Sequence, residues 1–161
     1  MVSAFFRVVT NLLYLVPLRV KRFKANEPNS QVLVAGATKA RQFDKEVDVR
    51  YEAGWIGARR GTLILTDQKL VCGSWEIPLS TINSAVLLRV KALFSKALVL
   101  QVATIDGHHF QFGLQYDPAW ETQTALPLTI ADGRIKYSVF SLVLRAILFA
   151  GVIWLIIRWL T

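Results

Sequence analysis

The side chains able to do chemistry are few, and their spacing does not gather them. His108 and His109 are the only histidines and Cys72 the only cysteine. A hydrolytic or redox centre needs a nucleophile, a base and an orienting group converging on one point. Adjacent residues on a strand point to opposite faces. His108 therefore shares the face of Phe110, Phe112 and Leu114, while His109 shares that of Gln111, and the two cannot easily ligate one metal. Asp106, followed by Gly107, reads as a hairpin turn residue rather than a ligand. Cys72, between Val71 and Gly73 on a strand, reads as a small buried apolar group. A single cysteine excludes an intrachain disulfide and any multi-cysteine metal site, and it is compatible with a reducing compartment. Gly54 and Gly57 lack the Lys-Ser/Thr and following helix of a phosphate-cradling loop. The sequence therefore predicts no catalytic residue, no metal, no cofactor and no small-molecule substrate.

The elements that must position these residues read as strands. Gly61 to Leu79 gives a strand, a turn at Asp67-Gln68, a second strand, a break at Gly73-Ser74 and a third strand. Gln31 to Thr38 reads as a first strand, and Val47 to Tyr51 alternates like another. Thr81 to Val90 alternates too, which puts Ile82, Val86, Leu88 and Val90 on one face and Asn83 and Arg89 on the other. Ala97–Ile105 and His108–Leu114 form a hairpin across Asp106-Gly107. Asp117-Pro118 opens a short helix that Pro127 ends, with Trp120 its one large apolar side chain. Six or seven short strands followed by one helix predict a mainly β small barrel, with Trp120 as the barrel cap.

The chain has 161 residues, 53% hydrophobic and 19% charged, enough for one domain with an apolar excess. That excess lies at the two ends. The net charge of +8 fits a nucleic-acid partner or an anionic membrane surface. Nucleic-acid binding needs a basic stripe, often with exposed aromatics. Arg59-Arg60 and Lys91–Lys96 lie on separate segments with few aromatics between them, so no nucleic-acid partner is expected.

Residues 1–18 place Ser3, Arg7, Thr10, Asn11 and Tyr14 along one narrow helical stripe, with Phe5, Phe6, Val8, Val9, Leu12, Leu13, Leu15 and Val16 covering the rest. Arg19, Lys21, Arg22 and Lys24 follow at once, and no acid appears before Glu27. A secretory signal would carry its basic residues ahead of the apolar run, and Arg7 and Pro17 leave too few apolar residues for a span. The pattern predicts an in-plane amphipathic helix with a polybasic collar over residues 1–24. Its apolar face would lie on lipid or on a partner protein.

Residues 137–160 are long enough to cross a bilayer core of about 30 Å. Arg145 and Arg158 interrupt them, either snorkelling to opposite interfaces or, for Arg145, pairing inside a larger membrane complex. Trp154 and Trp159 fit an interfacial aromatic belt. The expected organisation is thus 1–24, a domain over 25–130 and a transmembrane tail anchor over 131–161. Basic residues on the near side of the span place the barrel on the cytoplasmic or stromal face.

The run Gly61-Thr-Leu-Ile-Leu-Thr-Asp-Gln-Lys-Leu-Val, then Trp75-Glu-Ile-Pro-Leu-Ser-Thr-Ile, then Ile105-Asp-Gly-His-His-Phe-Gln-Phe and Trp120, resembles the GRAM and bacterial pleckstrin-homology-like domains over residues 31–126. The resemblance implies a seven-stranded barrel capped by a C-terminal helix, used for binding lipids or proteins and not for catalysis. It also implies headgroup contacts in the region after the first strand, where Lys39, Arg41 and Lys45 stand beside the interrupting acids Asp44 and Glu46. With Arg19, Lys21, Arg22 and Lys24 these are the lipid-headgroup candidates. Arg7, Arg145, Trp154, Arg158 and Trp159 are the candidate membrane-partner contacts. The expected function is a non-enzymatic, membrane-anchored accessory, assembly or scaffold subunit whose partners are lipids and a larger membrane complex. The alternative is an adaptor that reads anionic lipid.

Overall fold

The computed structural model describes residues 2–45, 50–51, 55, 57–91, 96–133, 136–137, 151, 154 and 158. Two helices come first, α1 (Val2–Leu13) and α2 (Val16–Asn26). An eight-stranded sheet follows, curled into a half-barrel. Its strands are β1 (Val32–Phe43), β3 (Arg59–Thr66), β4 (Lys69–Cys72), β5 (Trp75–Pro78), β6 (Ile82–Lys91), β7 (Lys96–Thr104), β8 (His109–Gln115) and β9 (Leu128–Gly133). The spatial order is β5-β4-β3-β1-β8-β7-β6-β9, antiparallel throughout except for the parallel pair β6–β9. A one-turn helix, α3 (Ala119–Thr122), joins β8 to β9. A separate two-residue pair links β2 (Arg50–Tyr51) to β10 (Lys136–Tyr137).

The opening meander forms where its turn residues predict. The Thr66 hydroxyl donates to the Lys69 carbonyl and accepts from the backbone N–H groups of Gln68 and Lys69, which closes the Asp67-Gln68 turn. Gly73 takes the left-handed conformation at φ 65° between β4 and β5. Every residue of β3 from Gly61 to Thr66 is buried. Leu63 and Leu65 belong to the core, while Thr62 and Ile64 are buried on the other face. A strand covered on both sides reads as a continuous apolar run, and α2 lies near both β1 and β3.

The core is a filled one. Leu63, Leu65, Leu70, Leu87, Leu98 and Leu100 have no solvent exposure, and Phe112 and Trp120 are their largest neighbours. Trp75 meets Phe110 edge-on at 5.5 Å, and Phe110 stacks on Phe112 at 6.2 Å. The hairpin between β7 and β8 turns at Asp106-Gly107, with Gly107 at φ 86°. A side chain there meets the left-handed penalty. Gly107→Ala is therefore expected to lower the unfolding free energy by about 1 kcal/mol, read as an earlier denaturation midpoint; an unchanged midpoint would refute the turn geometry.

Four details depart from the sequence expectations. The sheet has eight strands rather than six or seven and stays open as a half-barrel rather than closing, because β9, which straddles the expected domain boundary at residue 130, pairs with β6 and not with β5. The short helix ends at Thr122, well before Pro127. In β6 the core face carries Ala85 and Leu87, not Val86 and Leu88. A register shift between Ile82 and Ser84 causes this, since one extra residue reverses which side chains face inward. Finally, β1 runs on to Phe43, so Lys39 and Arg41 stand on a strand and not in a loop. Among the described residues no helix is long and apolar enough to cross a membrane, and the expected span falls mostly on residues outside them.

Candidate interaction surface

The helical pair docks through polar residues of α1. The Arg7 guanidinium pairs with the Asp117 carboxylate, which also accepts a hydrogen bond from the Ala119 N–H and so caps α3. Four residues on, the Asn11 side-chain oxygen accepts from the Ala37 N–H at 3.0 Å. β1 pairs with β8 only from Thr38 onward. Asn11 thus supplies a partner for the first N–H beyond that ladder. Arg7, Asn11, Gly36, Ala37, Asp117 and Trp120 line one crevice beneath α1. Two members of the polar stripe of α1, Arg7 and Asn11, are thus spent on the half-barrel.

Its apolar face consequently points away from the barrel. Phe5 is 68% exposed, Leu12 59% and Leu13 76%, with Val8 and Val9 beside them. Scattered exposed apolar side chains are ordinary, but a set on one helix face marks an interaction surface. Asn11→Ala leaves the Ala37 N–H without its partner. We expect a loss of about 1–3 kcal/mol in the local stability of the docked helix, measured as faster hydrogen exchange at Ala37; unchanged exchange would show that Asn11 does not hold this group.

The far end of the helical pair is tied down by ions. Lys69 Nζ lies 2.8 Å from Glu76 Oε2 and 2.9 Å from Glu27 Oε1. Glu27 also accepts from the Ser30 hydroxyl, and Gln31 exchanges hydrogen bonds with Asp67. Hydrogen bonds to Glu76 and then Glu27 hold the Lys69 pKa above its ordinary 10.5. A raised ammonium pKa adds stability that is complete below the unfolded value and disappears as pH rises through the folded one. The tether is therefore expected to hold from neutral pH up to about 10.5 and to loosen above it. Hydrogen exchange at the end of α2 checks this. A tether that weakened between neutral pH and that value would contradict it.

The predicted lipid-facing residues fall into distinct environments. Arg19, Lys21, Arg22 and Lys24 are exposed on α2, so the expected collar is itself helical. Arg19 also reaches back to β3, its Nη1 being 3.6 Å from the point where a Cβ on Gly61 would stand. Lys39 is exposed on β1 directly across from Arg60. Arg41 is not available in the same way, since its guanidinium lies 4.6 Å from the Phe43 ring and 5.5 Å from that of Trp55. Lys45 is exposed just past β1. Trp120 is 1% exposed and packs in the core, with its indole nitrogen close to Gly36. Arg7 faces the barrel. Trp154 and Arg158 are helical and exposed, the guanidinium 5.3 Å from the indole; Arg145 and Trp159 lie outside the described residues.

Of the residues first weighed for chemistry, His108 and Asp106 come within 3.9 Å of each other at the exposed hairpin, whereas Cys72 is buried in the core. Among the described residues no three His, Cys, Asp or Glu side chains gather as metal ligands. Sequence reading missed Asp117 as the dock for Arg7, Lys69 as the tether and Trp55 as a ring partner of Arg41. Lone charges on separate strands carry no spacing signal that would join them. No protein-family model matches the chain, and no curated protein matches it in sequence.

Proposed function

We propose that the protein is a non-enzymatic, membrane-anchored binding module, serving as an accessory or assembly subunit of a larger membrane protein complex. The observation that carries this reading is the inverted docking of α1, polar stripe inward and apolar face outward. A helix held in that sense needs an apolar environment beyond the chain's own barrel. The apolar run of residues 137–160 supplies the expected span, with Trp154 and Arg158 toward its far end. With two membrane attachments of its own, the barrel has little need to recruit itself, so its exposed strands are left for protein contact. On this reading the barrel is pleckstrin-homology-like and faces the cytoplasm or stroma. Blue-native electrophoresis of mildly solubilised native membranes tests the role. Migration within a large assembly supports it, and migration solely as a free small protein contradicts it.

A second reading, an anionic-lipid adaptor, is favoured by one observation. Lys39 and Arg60 face each other across strands, an arrangement of like charges that a bound anion would relieve. Flotation of the full chain with and without Lys39→Gln and Arg60→Gln separates it from the first reading: on this second reading the substitutions remove most of the preference for anionic over neutral vesicles, and on the first they leave it unchanged.

A further inference from the structure

We propose that the outward face of the α1–α2 pair is seated in an anionic lipid bilayer, in the plane of the headgroup–acyl boundary. This rests on the membrane-module reading above and names the partner of that surface. At 12 residues α1 is about 18 Å long, too short to cross a core of about 30 Å. At a bilayer a helix of that length lies along the surface.

The link between the helices is the most telling feature. Leu15 sits at φ 53°, ψ 35°, in the left-handed conformation that ends many helices. Glycine or asparagine is the usual residue there, because a Cβ meets the following carbonyl. Folding alone would favour glycine. Leucine instead projects an apolar side chain, 52% exposed, from the tip of the helical pair, and Leu18 adds another. A strained residue kept where the fold does not need it points to a role outside the fold. Here the role is insertion beside Leu12 and Leu13.

Charge selects lipid over protein as the occupant. Protein interfaces surround an apolar centre with a mixed polar rim that exchanges hydrogen bonds. The rim here is Lys21, Arg22 and Lys24, all exposed, while the Arg19 guanidinium turns back toward Gly61, and no acid precedes Glu27. A rim of one sign matches a layer of phosphate headgroups, each basic residue strengthening attachment. The ties at Asp117, Ala37 and Lys69 fix the helices to the barrel, so seating them also holds β1, β3 and β8 nearest the bilayer.

The test places an environment-sensitive nitrobenzoxadiazole probe on Leu12→Cys in the full chain, reconstituted into vesicles of phosphatidylcholine alone or mixed with phosphatidylglycerol. Cys72 is buried and stays unlabelled. In the anionic vesicles the probe should be shielded from aqueous iodide and quenched by nitroxide on the upper acyl chain. Adding Lys21→Gln and Lys24→Gln should lower the odds of the seated state roughly fivefold per charge. Adding Leu15→Gly should lower the shielded fraction while leaving the unfolding midpoint unchanged or higher. A probe open to iodide in both vesicles, or shielding indifferent to the lysine substitutions, overturns the proposal. A probe open in vesicles yet shielded in native membranes assigns the face to protein, overturning the lipid seat but leaving the membrane-module reading intact. A full chain that does not stay with the vesicles at all contradicts that reading instead.

Discussion

Replacing Trp120 by alanine is expected to cost about 3–5 kcal/mol of unfolding free energy. The indole is almost wholly enclosed and is the largest side chain of the core. It enters from α3, a helix of four residues that cannot hold itself together. Asp117 caps that helix, and Arg89 grips Glu121 at 2.9 Å, but the indole is what fixes it to the sheet. The indole nitrogen lies against Gly36, at ordinary contact distance from where a Cβ would stand. Truncation would leave a cavity bounded by strands that cannot collapse without breaking their ladders. Because Asp117 is also the dock for Arg7, loosening α3 should release α1 as well. Chemical denaturation followed by circular dichroism gives the loss, and Trp120→Phe should recover part of it. A Trp120→Ala loss below about 1 kcal/mol, within the range of surface substitutions, would mean that this side chain does not anchor α3 to the sheet.

Cys72 should be inert toward thiol reagents in the folded protein and react fully once it is denatured. It is 1% exposed and packs among Leu63, Leu70 and Ile77. Burial pushes its thiol up to about 11, against the pull of the Arg59 and Arg19 guanidiniums, from an ordinary 9.0. At neutral pH that leaves about a hundredfold less thiolate than an ordinary cysteine, and the thiolate is the reacting species. Occlusion slows attack further. Stopped-flow modification should therefore follow unfolding, with no fast phase. Rapid labelling of the native state would place Cys72 near the surface and refute the packing of β3 on β4.

Strand positions were legible where local chemistry sets them. Asp67-Gln68, Gly73-Ser74 and Asp106-Gly107 are turns whose residues dictate their own geometry, and all three form. The burial of Trp120 and Cys72 followed from their apolar neighbours. The inward face of β6 was not legible, because a single register shift reverses side-chain parity without leaving a mark in composition. Nor was β9, whose parallel pairing with β6 depends on a partner more than 40 residues earlier in the chain. The charged run Lys39–Gln42 looked like a loop since charges discourage strands; cross-strand pairing with both β3 and β8 overrides that preference.

The surface was half legible. Periodicity shows that α1 has a polar stripe and an apolar face, but not which of them meets the barrel. The usual expectation buries the apolar side. Two specific polar contacts, Arg7 with Asp117 and Asn11 with the Ala37 N–H, reverse it here. Both partners lie far along the chain, and one is a backbone group that no sequence pattern identifies. The lipid-headgroup candidates divide for a similar reason. Arg41 lies over the Phe43 and Trp55 rings, whereas Lys21, Arg22 and Lys24 remain on the surface of α2.

The sense in which α1 is docked is the centre of this account, and a spin-label scan of the helix tests it most directly. Single cysteines at successive positions from Phe5 to Tyr14, in the full chain embedded in lipid nanodiscs, would each carry a nitroxide. Collision with lipid-soluble oxygen should peak at positions 5, 8, 12 and 13, and mobility should be lowest at positions 10 and 14, on the sheet side beside the intact Arg7 and Asn11 contacts. The opposite phase, with positions 10 and 14 mobile in water and 5, 8 and 12 immobilised against protein, would contradict it.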